Sequence, residues 1–544
     1  MLVLFLVKHL AVLAGVLLVA AAAGTLAAGT REGLALRTAL GLGLCAHAAF
    51  FLGLIGQLRT GPILGLTLLL VVGGIWRARS ESLAFPALAL LGGIPLVPLA
   101  LFPPIAFDET MYHLPFVHAF ARDGALRFLP DMRFPVFPVL HELLCVPPFL
   151  LAGDVATHMV SVAQVVVIVA LLIEWGARHD LRSGWLAAAM FLGSPLVIML
   201  GTTLHVEAAL ALFVLAGFSA LDRERYVLAG FFFGSACSVK YLGFYFALAA
   251  LLIVAVRAIH RRRDAVAFAL ASALTALPMT AWIVFHTGNP VFPFLGKSAW
   301  VLMPVPSDGV AARVVRLSRV IWDVTFARER IGFQPPITPF LALFVLLLLV
   351  AAVKRDALAR RVVLVSAGYL VLLNFLSQDS RYLLPLLPLV SIATALVIAP
   401  RWPRATVWLA ILAIAPGIGY AGHRVARQGV PPATLSQSEE WLAVRVPEYR
   451  ALRRAGTDTV YACGGEQLKS HAGGLLLGDY NGPWSYARVV GGADDSRTLA
   501  QRLRRIDVRY FLVAKQQCTP PRVNGGMELV YEDEHAQLWR VSGR

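Results

Sequence analysis

The sequence Leu101-Phe-Pro-Pro-Ile-Ala-Phe-Asp108-Glu109-Thr-Met-Tyr112-His113 runs from a long apolar segment directly into two adjacent carboxylates. Ionisable groups at a membrane boundary are costly unless they have water, a partner or a function. The pair has two interpretations: it solvates the end of a helix, or it supplies a base beside an apolar wall. The long polar and aromatic loop that follows the pair is more than a plain connection needs, but chemistry alone leaves both interpretations open.

The composition around this stretch is that of a membrane protein. Hydrophobic residues make up 58% of the 544 positions and charged residues 15%, whereas soluble domains have roughly 45–50% and 25%. A spanning helix needs about 20 apolar residues, and such segments recur over the first 420 positions. We predict a polytopic α-helical protein with about 13–14 spans. The apolar segments are 3–27, 34–56, 61–76, 84–102, 155–174, 184–201, 206–220, 226–239, 241–256, 265–285, 337–353, 361–376, 380–399 and 404–420.

The net charge of +16 is placed to orient such a protein in its membrane. Basic clusters fall on every second connection, which is the pattern of cytoplasmic loops. The clusters are Arg77/Arg79, Arg178/Arg182, Arg223/Arg225, Arg257 with Arg261 to Arg263, Lys354/Arg355 with Arg360/Arg361, and Arg401/Arg404. We therefore expect contacts with membrane lipid headgroups and no nucleic-acid partner. The first segment carries Lys8 and is interpreted as a retained helix rather than a cleaved signal peptide.

This orientation divides the chain into four parts. We predict N-terminal transmembrane helices over 1–102, an external loop over 103–154, a transmembrane core over 155–420 and an extracytoplasmic domain over 421–544. The core includes a second external loop at 286–336, and the short turns at 202–205, 240 and 377–381 also face outward. All the unusual polar residues then lie on one face of the membrane.

The C-terminal part changes to a composition typical of a small α/β domain, large enough for its own core. Ser436-Gln-Ser-Glu439 resembles a capping box that opens a helix including Trp441 and Tyr449. Strands are predicted at 458–463, 486–490, 508–514 and 528–541, with a helix near 496–505. Cys463 and Cys518 could form a disulfide if this domain is extracytoplasmic, whereas the other three cysteines are interpreted as packing residues.

Candidate site residues stand at the outward ends of the predicted helices. Glu207 lies just inside a span, where an unpaired carboxylate is expensive, and is the second candidate for a catalytic acid after Asp108; His205 precedes it. Lys240 and Arg381 interrupt apolar sequence, where they either snorkel to the interface or bind a phosphate. A carboxylate such as Asp108 can take a proton from an acceptor hydroxyl or amine. The sequence lacks a nucleotide-binding glycine loop and a Gly-x-Ser-x-Gly motif.

An ordered set of short motifs resembles the GT-C membrane glycosyltransferases of bacteria, in particular the protein O-mannosyltransferases and the aminoarabinose-transferase-like enzymes. The motifs are Asp108-Glu109-x-x-Tyr112-His113-x-Pro115, Glu207 after a Gly-Thr turn, Lys240-Tyr-x-Gly, Gly288-Asn-Pro-Val-Phe-Pro and Arg381-Tyr382-x-x-Pro385. The resemblance covers roughly residues 84–400.

The resemblance implies an inverting transfer of a sugar from a polyprenyl-phosphate donor to a lipid, glycan or protein acceptor, on the outer face of the inner membrane. It implies that Asp108 is the general base and that Glu109 shares the proton or holds a neighbouring group. Lys240 and Arg381 would contact the donor phosphate. His113 and Glu207 would line the pocket. Further candidates for binding the donor or substrate are Tyr112, His205 and Tyr382. No cofactor is implied; a carboxylate pair can hold a divalent metal, but none is expected.

Two other classes of protein compete with this interpretation. A lipid-linked sugar transporter or flippase would place its charges near the bilayer midplane on paired, broken helices. A non-catalytic envelope assembly protein would need neither Asp108 nor Glu207. An enzyme requires Asp108, Glu207, Lys240 and Arg381 to converge on one outward-facing site, and this geometric requirement separates the three classes.

Overall fold

The computed structural model describes residues 1–29, 31–78, 87–257, 262–294, 309–331, 337–354, 356–376, 379–480, 482–491, 496–519 and 525–542. Its helices are α1 Leu2–Ala28, α2 Leu34–Leu54, α3 Thr60–Arg77, α4 Val97–Ala100, α5 Leu114–Asp123, α6 Leu140–Ala152, α7 Asp154–Ala177, α8 Leu181–Leu192, α9 Pro195–Leu200, α10 Glu207–Asp222, α11 Tyr226–Val239, α12 Leu242–Arg257, α13 Arg262–Thr287, α14 Val310–Phe326, α15 Leu341–Val353, α16 Ala357–Leu373, α17 Leu387–Arg401, α18 Thr406–Gln428, α19 Leu435–Arg445, α20 Tyr449–Arg454, α21 Tyr486–Val489 and α22 Ser496–Arg505. Short 3-10 segments occupy Ala87–Gly93, Arg328–Arg330, Ser380–Leu386 and Glu466–His471, and a π-helical turn occupies Glu109–His113. The strands are β1 Val460–Cys463, β2 Leu476–Leu477, β3 Tyr510–Ala514, β4 Met527–Glu532 and β5 Ala536–Val541.

The predicted class, a polytopic helical membrane protein, is confirmed. In the described part of the chain, seven helical segments are long and apolar enough to cross a bilayer, and five shorter apolar helices pack among them. Helix α7 is buried along its whole apolar length and contacts helices on several sides, so it forms the centre of the bundle. Of the predicted charge pattern, Arg79, Arg261, Arg355 and the loop residue Lys297 lie outside the described residues.

Two predicted spans are broken by proline. In the segment predicted at 84–102, the described residues 87–102 contain the 3-10 turn Ala87–Gly93 and the single turn α4, with Pro95 between them. The segment at 184–201 is divided into α8 and α9 at Gly193-Ser194, directly before Pro195. Proline lacks the N–H that would continue a helix and clashes with the preceding turn, so an apolar run that contains it is not one continuous helix.

The N-terminal helices α1 and α2 pack at very short range. A Cβ atom placed on Gly41 would stand 1.7 Å from the carbonyl oxygen of Ala20, and one placed on Gly24 would stand 1.7 Å from that of Arg37. Only glycine permits this backbone approach, which is a common way for helices to associate in membranes.

The C-terminal residues form a small α/β domain, as predicted. Its five-stranded sheet has the order β2-β1-β3-β5-β4; β1 is parallel to β2 and β3, and β5 is antiparallel to β3 and β4. Cys463 at the end of β1 and Cys518 after β3 are joined in a disulfide. Apolar cores lie on both faces of the sheet.

Two local predictions for this domain were wrong. The run at 486–490 is the helical turn α21 rather than a strand. Helix α19 begins at Leu435, one residue before the expected capping box, because Thr434 is its N-cap and accepts a hydrogen bond from the Gln437 amide at 3.2 Å. It ends at Arg445, so Tyr449 belongs to the next helix, α20.

Candidate active site

Asp108 lies at the start of the π-helical turn Glu109–His113, between α4 and α5. Single π-helical turns occur frequently at functional sites. The Oδ2 atom of Asp108 accepts a hydrogen bond from the Tyr112 hydroxyl at 3.1 Å and a second one from Nη1 of Arg381. Asp108 and Arg381 are 273 residues apart in the sequence, so the fold alone brings them together.

Arg381 is surrounded by three carboxylates. Besides its contact with Asp108, its Nε atom lies 2.9 Å from Oδ2 of Asp379 and 3.8 Å from Oε1 of Glu207. Asp379 also caps the 3-10 turn Ser380–Leu386, because its other oxygen accepts a hydrogen bond from the Arg381 amide at 3.1 Å. Arg381 is therefore held from both its backbone and its guanidinium group.

Lys240 completes the cluster from the end of α11. Its Nζ atom donates to Oε1 of Glu207 at 2.6 Å. The ring of Tyr382 stacks below both cations, with its centroid 4.5 Å from the Lys240 ammonium and 5.3 Å from the Arg381 guanidinium. Glu207 is 1% exposed, and its second oxygen, Oε2, has no hydrogen-bond partner among the residues that the structure describes. A buried carboxylate oxygen without a partner is energetically costly, so a hydrogen-bond donor of a ligand would bind favourably at this position.

The charges of this cluster affect its two loop carboxylates, Asp108 and Asp379, differently. Burial by itself would raise the pKa of Asp108, but Arg381, followed by His205 and His113, lowers it to about 2. Burial raises the pKa of Asp379 above its usual value. Asp108 is thus an anion throughout the neutral range, the state that a proton acceptor needs.

Glu109 belongs to a different network, although it follows Asp108 directly. Its Oε1 atom lies 2.6 Å from Nε2 of His158 and accepts the Leu204 amide at 2.7 Å. Its Oε2 atom accepts the Ala106 amide at 3.2 Å. Both oxygens have partners, and they tie the loop to α7 and to the turn before α10. The structure therefore does not bring Glu109 into the Arg381 cluster.

The predicted histidines flank the cluster. Nδ1 of His113 lies 2.5 Å from Oε1 of Glu142, and both side chains are buried. His205 contacts the Thr203 hydroxyl at 2.8 Å, and its ring centroid is 6.3 Å from that of His113. Sequence reasoning missed Glu142 and Asp379. Glu142 had a detectable signal, since a His-Glu pair inside an apolar helix demands a partner.

The C-terminal domain covers the loop that carries Asp108. Arg133 forms a two-pronged ion pair with Asp479, with nitrogen–oxygen distances from 2.5 to 3.1 Å. Asp131 accepts the Trp484 indole N–H at 2.9 Å through its side chain and the Lys469 ammonium through its carbonyl oxygen. Because the two parts are joined by charged groups shielded from water, their relative position is fixed by specific bonds.

We expect Arg133→Ala to loosen this attachment. Both partners are mostly shielded, with 14% and 13% side-chain exposure, and breaking such a pair costs about 3–5 kcal/mol because a charge stays behind. Hydrogen exchange of the Glu466–His471 turn should accelerate. The matched control is Lys515→Ala. Lys515 forms an exposed ion pair with Glu532, and such a pair contributes only about 0.2–1 kcal/mol to stability. Equal exchange in the two variants would contradict this role of Arg133.

Lys469 gives the attachment a pH dependence. Burial lowers its pKa from 10.5 to about 8. Between these two values the unfolded chain binds more protons than the folded one, so the free energy of unfolding should rise with pH. Thermal unfolding measured from pH 8 to 10.5 should show this rise and lose it in Lys469→Met. The exposed Lys515→Met is the control, and a rise that survives in Lys469→Met would contradict the assignment.

Within the described ranges, no group of three or more histidine, cysteine or acidic side chains is arranged to hold a metal ion. The prediction that no metal or other cofactor is needed stays untested.

The described residues thus form a helical membrane bundle with a charged cluster at helix ends and a small covering α/β domain. The chain superimposes on the crystal structure of ArnT from Cupriavidus metallidurans bound to undecaprenyl phosphate, with a TM-score of 0.50 and 13% identity over 84% of this chain and 97% of that one. The apo state of the same protein gives a TM-score of 0.53 with the same identity and coverage. At this identity the likeness concerns the fold. No protein-family model matches the sequence, and no curated protein sequence is significantly similar to it.

Proposed function

We propose that this protein is an inverting membrane glycosyltransferase that moves a sugar from a polyprenyl-phosphate donor to a lipid, glycan or protein acceptor of the cell envelope. The observation that carries the proposal is the continuous chain of contacts from Asp108 through Arg381 and Glu207 to Lys240. It combines a base with two cations in one place. The fold supports the same function, because the ArnT structure with this architecture is bound to undecaprenyl phosphate.

The positive and the negative groups of the cluster would have different roles in the reaction. Arg381 and Lys240 would bind the phosphate of the donor, since guanidinium and ammonium groups pair well with phosphate oxygens. Their present partners are carboxylates, which an incoming phosphate would replace in part. Both cations also rest on the ring of Tyr382, which would keep them in place during that exchange.

Asp108 would act as the general base. The acceptor hydroxyl or amine attacks the anomeric carbon as Asp108 takes its proton, and the bond from that carbon to the phosphate oxygen breaks. The polyprenyl phosphate leaves with the electron pair of the broken bond, and Arg381 and Lys240 neutralise its negative charge. A single displacement of this kind inverts the anomeric carbon. Tyr112, which donates to Asp108, would orient the carboxylate.

A transporter or flippase fits this geometry less well. Its charges are expected near the middle of the bilayer on paired half-helices. Here Asp108 precedes the π-helical turn, Glu207 begins α10 and Lys240 follows α11. Arg381 is the second residue of the 3-10 turn before α17. Charges confined to helix ends favour chemistry at a membrane surface over passage through the membrane.

The location that accompanies this function is the bacterial inner membrane, with the C-terminal domain on the outer side. The disulfide between Cys463 and Cys518 supports that side, because disulfides persist in oxidising compartments and are rare in the cytosol. The domain and the Asp108 loop are in direct contact, so they share one side of the membrane.

The function is tested with purified protein in lipid, given polyprenyl-phosphate-linked sugars and an envelope extract as acceptor. We expect polyprenyl phosphate to be released only when the extract is present. The sugar should be recovered on an acceptor, with the anomeric configuration opposite to the one it had in the donor. Retained anomeric configuration would contradict the displacement by a single base. No consumption of any donor would contradict the enzymatic function itself.

A further inference from the structure

The cluster around Arg381 contains more acids than cations. Among the residues that the structure describes, its acids are Asp108, Glu207 and Asp379, and its cations are Lys240 and Arg381. With all five groups ionised, the cluster carries an excess of one negative charge. That excess affects any anion that binds there.

The ionisable groups next to the cluster do not cancel this excess. Burial lowers the pKa of His205, in the turn before α10, to about 4, so its ring is neutral at pH 7. His113 is paired with Glu142, and Arg133 is paired with Asp479. Each of these cationic groups therefore has an acidic partner of its own.

The excess negative charge opposes the binding that the proposed reaction requires. The phosphate of a polyprenyl-phosphate donor is an anion, and phosphate groups are repelled by neighbouring carboxylates. A guanidinium group binds phosphate best through two adjacent N–H groups. In Arg381, Nη1 is bonded to Asp108, and Nε lies 2.9 Å from Oδ2 of Asp379. We therefore expect one acid to lose its charge when the phosphate binds.

Asp379 is better placed for this change than the other two acids. Against the effect of burial, Arg381 lowers the pKa of Asp108 to about 2, so Asp108 stays ionised. Glu207 has a side chain that is only 2% exposed, and it is paired with Lys240 at 2.6 Å. The side chain of Asp379 is 15% exposed, so a proton from water can reach it.

The groups that face Asp379 come from four elements. Burial has the largest effect on its pKa and raises it, Arg381 of the same turn lowers it, Glu207 of α10 raises it, and Lys240 after α11 lowers it. Arg316 of α14 lines the same small cavity as Asp379, but its hydrogen bonds go to the end of α16. A phosphate on the two cluster cations would weaken their effect on Asp379 and favour its neutral form.

We propose that Asp379 takes up a proton from water when the donor phosphate binds, and that the neutral acid donates a hydrogen bond to a phosphate oxygen. Oδ2 would carry the proton, while Oδ1 keeps its hydrogen bond from the Arg381 amide. When polyprenyl phosphate leaves, the proton returns to water and Asp379 recovers its ion pair with Arg381. The inference rests on the proposed function, because it assumes that the phosphate binds at Arg381 and Lys240.

The test is isothermal titration calorimetry of the full-length protein in detergent with methyl farnesyl phosphate. This phosphodiester has no sugar to transfer and no proton of its own that titrates near neutral pH. Titrations in buffers of different ionisation enthalpy count the protons that the protein takes up. We expect about one proton per bound molecule. Because the complex then holds more protons than the free protein, the affinity should fall by up to about tenfold per pH unit from pH 6.5 to 8.

Asp379→Asn should remove both the proton uptake and the pH dependence. Asparagine has the size of aspartate, is neutral, and caps helical turns equally well, so the variant should fold. At pH 8 it should bind methyl farnesyl phosphate about tenfold more tightly than the unaltered protein, because no acid has to be protonated first. The matched control is Asp323→Asn. Asp323 is similarly shielded, at 11% side-chain exposure, and is paired with Arg330; its replacement should leave the proton uptake unchanged.

The possible results separate this inference from the proposed function. Binding without proton uptake, or proton uptake that persists in Asp379→Asn, would overturn the role of Asp379 and leave the phosphate site standing. If the unaltered protein did not bind methyl farnesyl phosphate at all, the phosphate site itself would be contradicted, and the proposed function with it.

Discussion

Asp108→Asn should reduce sugar transfer by about a hundredfold or more, the loss expected when a general base is removed. The asparagine side chain keeps the size of aspartate and can still contact Tyr112, but it cannot take up a proton. The binding of donor should change little, because Arg381 and Lys240 remain in place. Initial rates of acceptor-dependent release of polyprenyl phosphate measure this effect.

The matched control for this prediction is Asp123→Asn. Asp123 lies on the same external loop and pairs with Arg122 and Arg127, but it has no contact with the Arg381 cluster among the contacts described. Its rate should equal that of the unaltered protein. If Asp108→Asn also retained full activity, the base would lie elsewhere, and the buried Glu207 would be the next candidate.

Arg381→Gln should have the largest effect on stability. Arg381 is 12% exposed and faces Asp108, Glu207 and Asp379. Removal of its charge leaves these acids in a site shielded from water, and breaking a buried pair in this way costs about 3–5 kcal/mol. The free energy of unfolding in detergent should fall by this amount, and transfer should fall with it.

The double variant Arg381→Gln with Asp108→Asn separates electrostatics from packing. Because Asp108 no longer brings an uncompensated charge, the double variant should be more stable than the sum of the single changes by about 0.5–3 kcal/mol. Arg122→Gln, at a side chain that is 74% exposed, should change stability by no more than about 0.5 kcal/mol. Strict additivity of the two single changes would contradict a direct charge interaction between Asp108 and Arg381.

The convergence of Glu207, Lys240 and Arg381 was predictable from the sequence. Glu207, Lys240 and Arg381 each stand where an apolar helix begins or ends, and the cost of a charge there is a local property that the sequence displays. The same reasoning could not separate Asp108 from Glu109. The π-helical turn directs one carboxylate to Arg381 and the other to His158, and that direction depends on backbone geometry that the residue types do not reveal.

The contacts between the Asp108 loop and the C-terminal domain could not be predicted from the sequence either. Arg133 and Asp479 are separated by 346 residues, and nothing in either local sequence identifies the partner. Asp379 was missed because its helix-capping role is an ordinary one, and its second role beside Arg381 arises only in the folded chain. By contrast, most strands of the C-terminal domain followed from their runs of β-branched and aromatic residues, which reflect local preference.

The attachment of the C-terminal domain to the Asp108 loop imposes an order on biosynthesis. Ribosomes make the chain from its N-terminus at about 5–20 residues per second, so Asp479 follows Arg133 by roughly 20–70 s. During that interval the loop has been made, and the helices up to α18 are being made, while the partners of Arg133 and Asp131 do not yet exist. The loop therefore acquires its final contacts only when the last fifth of the protein has been made and folded, and a chain released early would carry the Asp108 loop without its cover.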